Sequence, residues 1–139
     1  MQRYLMINLE ISYQVKMPLF WGGFLNKLAQ ITASHLRIQS NLALSVVFVS
    51  PPIIKKYNRI YRHQPSVTDV LSFNEVNEIL ICYAKAKNQA KNNHTTIKME
   101  IGWLFIHGLL HLLGYTHETE KKYKKMVELQ KTIMQKAVK

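Results

Sequence analysis

The stretch His107-Gly108-Leu109-Leu110-His111-Leu112-Leu113-Gly114-Tyr115-Thr116-His117 overlaps the longest apolar run of the chain, Ile101 to Tyr115. Read as a helix, it places His107 and His111 one turn apart on the same face, about 6 Å along the axis. Gly114 can leave that helix through a left-handed conformation that other residues resist, and His117 can then fold back toward the first two. Three imidazoles in this arrangement leave an open coordination position for water, as in catalytic rather than structural zinc sites. A lone His on an apolar helix is more often a satisfied core residue. Three at this spacing, around a helix-ending Gly, instead predict one zinc ion per chain held by His107, His111 and His117. His35, His63 and His94 have no such spacing and read as surface or turn residues.

The spacing H-x3-H-x2-G-x2-H is also that of the metzincin proteases, which carry Glu directly after the first His as general base. Here that position is Gly108, and no carboxylate occurs between Glu100 and Glu118. Peptide hydrolysis would lose its proton shuttle. A metal lowers the pKa of its bound water to about 7 without help from a neighbouring base. The site therefore suits a substrate whose transition state mainly needs positive charge around it, such as a phosphodiester.

Length and charge narrow the rest. The 139 residues make one domain, 1–139, large enough for a real core but not for two. A formal charge of +11, from 19 Lys and Arg against 8 Asp and Glu, implies a polyanionic partner: nucleic acid or an anionic membrane surface. The single Cys82 excludes an internal disulfide and, lying in an apolar run, reads as a buried thiol in a reducing compartment. The N-terminus alternates apolar and polar residues instead of forming a signal-peptide block. The longest apolar run, interrupted by two His, is too short to span a bilayer. These features predict a soluble, cytoplasmic protein that does not engage membranes.

Met6 to Tyr13 alternates as a half-buried strand, and Pro18 opens a helical stretch with Phe20, Phe24, Leu28 and Ile31 at helical spacing. Leu42 to Val49 is apolar on both faces and predicts an interior strand. Ser50-Pro51-Pro52 reads as a helix start, with Ile53, Tyr57, Ile60 and Tyr61 inward and Lys55, Lys56 and Arg59 outward. Thr68 to Phe73 and Glu78 to Tyr83 are short strands joined by a polar turn, and Lys85 to Asn93 is a basic helix or helix–loop. Thr95 is the expected cap of a buried helix of about 18 residues ending near Gly114. Tyr123, Met126, Val127, Ile133, Met134 and Ala137 form one face of a final Lys-rich helix. Four strands with helices grouped around them predict an α+β domain with a small central mixed sheet and a zincin-like buried metal-binding helix.

Basic residues cluster at Lys55 to Arg62, at Lys85 to Lys98 and along the C-terminal helix; the first two clusters contain no acidic residue. Arg62 follows its helix and precedes Thr68-Asp69-Val70-Leu71-Ser72-Phe73, at an element end where functional groups commonly sit. Arg suits phosphate because its planar fork donates bidentately and its charge does not titrate away.

The run HGLLHLLGYTH, His107 to His117, resembles the metal motif of the YbeY family of bacterial endoribonucleases, written H-G-x-L-H-L-x-G-Y-D-H. YNRIYRHQPSVTDVLSF, Tyr57 to Phe73, resembles that family's second motif, in which an Arg precedes T-D-V-L-S-F. Glu78 to Cys82 resembles the strand that follows, and Glu100 matches an acidic residue the family tends to carry seven positions before the first His. The pattern differs at Thr116, where the family has Asp, and at Asn77, where a Gly commonly precedes the acidic residue.

The resemblance implies a hydrolase: a single-strand-specific, metal-dependent endoribonuclease of ribosomal RNA maturation, notably at the 3′ end of the small-subunit RNA, and of ribosome quality control. It implies zinc on His107, His111 and His117, with Arg62 and His107 associated with activity. The expected partners are single-stranded RNA and the ribosome or its small-subunit proteins, with no nucleotide cofactor. In that mechanism the ion activates a water or polarises a phosphoryl oxygen, and Arg62 neutralises charge on the pentavalent phosphorus. Asp69 could hydrogen-bond Arg62 or a neighbouring backbone group. Glu100, two turns before His107, is too far, at about 10 Å, to be a fourth ligand and reads as supporting structure. Two alternatives stay open: a metalloprotease or other metal-dependent hydrolase, and a non-catalytic ribosome assembly factor with structural zinc.

Overall fold

Leu42–Val49 sends Leu44, Val46 and Phe48 into one apolar cluster and Val47 and Val49 into another. A strand without a polar face belongs inside a sheet. A computed structural model describes residues 7–18 and 21–138 and places it there. The element order is β1 (Ile7–Tyr13), α1 (Gly22–His35), β2 (Leu42–Val49), α2 (Pro51–Arg62), β3 (Val70–Phe73), β4 (Glu78–Cys82), α3 (Tyr83–Asn92), α4 (Ile97–Leu112) and α5 (Glu120–Ala137). The strands form one mixed sheet in the order β1-β2-β4-β3. β2 runs parallel to β1 and β4, and β3 closes the far edge antiparallel to β4. The expected α+β fold is therefore the fold adopted.

The larger cluster lies between one face of the sheet and α1, α4 and α5; the smaller one lies under α2, with Ile54 against Leu71, Leu80 and Cys82. Apolar almost all round, α4 is buried as such a helix must be. Its N-cap is Thr96 rather than Thr95: the Thr96 hydroxyl accepts from the Met99 N–H at 3.1 Å. Among the described residues, no helix is long and apolar enough to cross a membrane.

Several local expectations need correction. Met6 and Phe20 lie outside the described residues. The first helix begins at Gly22, not Pro18, with Trp21 as its cap. The β3 ladder begins at Val70, and Tyr83 opens α3 instead of ending β4. In α2 the buried positions are Ile54 and Asn58, while Tyr57, Ile60 and Tyr61 are exposed. Only a narrow side of this helix meets the sheet, and the Asn58 amide is drawn to that side by donating to the Ser66 carbonyl at 3.0 Å. In α5, Tyr123 is exposed and the polar Gln130 occupies a buried position.

Candidate metal centre

The end of α4 brings the three imidazoles together. Gly114 adopts φ +98°, a region that L side chains rarely enter. Its N–H bonds the His111 carbonyl at 3.1 Å, and the Tyr115 N–H reaches Leu110 at 3.0 Å, which closes the helix and reverses the chain. His117 thereby returns to His107 and His111. Donor nitrogens of all three lie within 4.8 Å of one another, the one such group among the described residues. His107 Nε2 and His111 Nε2 are 3.1 Å apart. Two nitrogens on a tetrahedral zinc at about 2.0–2.1 Å stand roughly 3.3 Å from each other. Side-chain type, spacing and the single exposed ligand position of His117 all fit a metal ion.

The buried Gln130 amide hydrogen-bonds the His107 ring, and the Tyr115 backbone hydrogen-bonds His111. Such partners fix the tautomer and aim the inner nitrogens at the metal. Gln130 escaped the sequence reading, although a polar residue in the apolar stripe of α5, between Met126 and Ile133, was a visible signal. It also donates to the Trp103 carbonyl at 3.2 Å, tying α5 to α4. The Thr116 hydroxyl, standing where the family pattern has Asp, is enclosed with no hydrogen-bond partner among the described residues.

Burial lowers the pKa of His107, with the Asp69 charge opposing it and His117 adding to it. Burial likewise pushes His111 down to about 4, assisted by the charges of His107, His117 and Arg62. Both imidazoles are thus neutral at physiological pH, the form that binds a cation.

The three His open onto a polar cavity of about 500 Å³ that Arg62, Asp69 and Ser72 also line. Arg62 arrives there because α2 stops at it: His63 takes a left-handed φ of 57°, its N–H bonded to the Arg59 carbonyl at 3.1 Å. Asp69 does not serve Arg62. Its Oδ1 accepts from the Val70 N–H at 2.8 Å and its Oδ2 from Gln89 at 3.2 Å, which makes it a brace for the cavity wall. Glu100, buried with 8% exposure, lines a separate hollow with Trp103 and Lys131. His63 and His94 sit in exposed turns, and His35 meets Lys136 at the end of α1.

Gly108, where metzincins have Glu, faces the sheet. A Cβ there would stand 3.0 Å from Ile79 and 3.1 Å from the Ser72 hydroxyl. No carboxylate fits at that position. Asn77, where a Gly is commonly found, has φ +48°, and Asn tolerates that turn conformation better than most residues.

Comparison with known proteins agrees with this geometry. The family model described as Endoribonuclease YbeY matches residues 11–138. Proteins named Endoribonuclease YbeY from Staphylococcus aureus strains JH9 and Newman are 34% identical over 131 residues, 82% of this chain and 84% of theirs. The solution structure of TM1509 from Thermotoga maritima superposes with a TM-score of 0.68 at 30% identity, covering 93% of this chain and 88% of that one.

Proposed function

Because the chain belongs to the YbeY endoribonuclease family, we propose that it is a zinc-dependent endoribonuclease cutting single-stranded RNA at the cavity where Arg62 faces His107, His111 and His117. Its setting is the cytoplasm, in maturation of the small-subunit ribosomal RNA 3′ end and in ribosome quality control, with the ribosome or its small-subunit proteins as partners. The observation that carries this is the joint lining of one polar cavity by three imidazoles and a guanidinium.

His107, His111 and His117 would hold the zinc, which supplies a Lewis acid and a water of lowered pKa. Gln130 and the Tyr115 backbone keep the His107 and His111 rings oriented. Arg62 binds the scissile phosphate through its planar fork and stabilises the charge that grows on the non-bridging oxygens. Ser72 holds the Gly108 carbonyl at 2.9 Å and so fixes α4, with its ligands, against the sheet. The whole chain, residues 1–139, acts as one catalytic domain. The steric block at Gly108 speaks against a metzincin-type protease.

Purified protein is to be incubated with single-stranded RNA and with a casein-type substrate, each with and without chelator. Chelator-sensitive RNA cleavage with intact casein is the expected result. Proteolysis would favour the protease alternative, and RNA binding without cleavage would favour an assembly factor.

A further inference from the structure

Three aromatic rings stand together where α2 projects beyond the core. Tyr57 and Tyr61, one helical turn apart, have ring centroids 5.9 Å apart and planes 9° from parallel. Phe73 of β3 meets both edge-on, at 6.2 Å and 5.2 Å. With Glu75, Val76 and Glu78 they line a hollow of about 330 Å³. Tyr61 is 60% exposed and Tyr57 36%, whereas Ile54 of the same helix is fully buried. Core packing does not account for rings left in water in this way.

Residues that line the hollow and residues that line the metal cavity are chain neighbours at two places. At the end of α2, Arg62 lines the cavity and the preceding residue, Tyr61, lines the hollow. Consecutive helical residues are 3.8 Å apart at Cα and turned by about 100°. On β3, Ser72 turns toward Gly108 of the ligand helix and Phe73 toward the tyrosines of α2. Tyr61 is thus the immediate chain neighbour of the arginine proposed to hold the phosphate.

We propose that Tyr57, Tyr61 and Phe73 form a stacking subsite for one unpaired base of the same RNA strand whose phosphodiester lies at Arg62. Aromatic side chains hold single-stranded RNA in this way because every base presents a π-face. Charge agrees: α2 carries Lys55, Lys56, Arg59 and Arg62 and no acidic residue, so the strand that follows this helix is a polyanion. Glu75 and Glu78, which also line the hollow, repel phosphate, so the hollow takes the base and not the backbone. Their carboxylates accept hydrogen bonds from base N–H groups. Guanine offers an imino and an amino donor side by side, while uracil has no amino group, so the subsite favours guanine.

This subsite rests on the RNA-cleaving function proposed above, and its test is kept separate by measuring binding without cleavage. Full-length protein in chelator is titrated by fluorescence anisotropy with uridine-rich oligoribonucleotides containing or lacking one guanine, across a salt series. Tyr61→Ala is expected to bind the guanine strand about tenfold more weakly at an unchanged salt slope. Tyr61→Phe should bind as the wild type does, Lys55→Ala should flatten the salt slope, and Glu78→Gln should reduce the guanine preference. Wild-type affinity in both Tyr57→Ala and Tyr61→Ala would overturn the subsite. Full retention in Tyr61→Leu would also overturn it, pointing to an apolar protein partner. Equal wild-type affinity for the two strands would overturn the guanine assignment. Cleavage is scored apart without chelator: a wild type that binds RNA through Tyr61 but cuts none would leave the subsite standing and remove the nuclease function.

Discussion

The Ser72 hydroxyl donates to the Gly108 carbonyl at 2.9 Å, and a Cβ on Gly108 would stand 3.1 Å from that same oxygen. The absence of a side chain at 108 is therefore what lets the ligand helix lie against β3 and β4. Gly108→Ala should cost about 1–3 kcal/mol through overpacking. Ser72→Ala should cost about 1 kcal/mol through the lost hydrogen bond. Urea denaturation measures both, and a Gly108→Ala variant of wild-type stability would show that the contact is slack.

Zinc should bind at one equivalent per chain, since His107, His111 and His117 present donors within 4.8 Å of one another. His111→Ala leaves two ligands, which rarely hold a catalytic ion, and should abolish stoichiometric binding. Metal analysis of the purified variant decides this; unchanged zinc content would place the ion elsewhere.

Gln130 meets the three-His site at His107. Gln130→Leu keeps an apolar contact in the core but removes the hydrogen bond to the ring. Losses of such outer partners typically weaken metal binding by about 10–100-fold. Competition with a chromophoric chelator reads the affinity, and circular dichroism confirms the fold. An affinity equal to wild type would reduce Gln130 to a helix-packing residue.

Glu100 supplies a pH test. Burial, with a smaller contribution from the Asp69 charge, raises its pKa above the usual carboxylate value, against a hydrogen bond from Asn93. The folded state then holds this proton more tightly than the unfolded state. Stability is spared any penalty below the unfolded pKa and falls as pH rises through the folded one. Glu100→Gln should thus melt above the wild type at neutral pH, with the gap shrinking as the pH falls and gone below about 4.5. A gap independent of pH would mean that the carboxylate ionises freely in the fold.

Much of this is legible in the sequence. The His107–His117 spacing predicted the helix, the turn at Gly114 and the converging ligands, because a metal motif encodes its geometry in residue offsets. The double-sided apolar run of Leu42–Val49 likewise predicted an interior strand. What escaped were features that pattern cannot separate. Tyr57, Ile60 and Tyr61 count as apolar yet face water, so hydrophobic spacing turned α2 by the wrong angle. Thr95 and Thr96 are equivalent as letters, and only backbone geometry selects Thr96 as the cap. Thr116 replaces the family's Asp beside His117, while the partner of the His107 ring is Gln130, on another helix. Partners distant in sequence leave no local trace.

Substitution of Arg62 tests whether catalysis can be separated from binding. It is exposed at the end of α2, lines the cavity of the three His, and its charge helps to keep His111 neutral. Its removal should therefore leave the fold intact. Arg62→Lys keeps the positive charge, so zinc content and most of the RNA affinity should persist. An ammonium cannot reproduce the planar, bidentate approach to a phosphoryl group, and that geometry matters most where charge is greatest, in the transition state. Loss of one such donor costs on the order of 10²–10³ in rate. Single-turnover cleavage, measured beside circular dichroism and metal content, is the test. Near wild-type cleavage by Arg62→Lys would make Arg62 one more solvated cation and leave the chemistry to the three histidines and their metal.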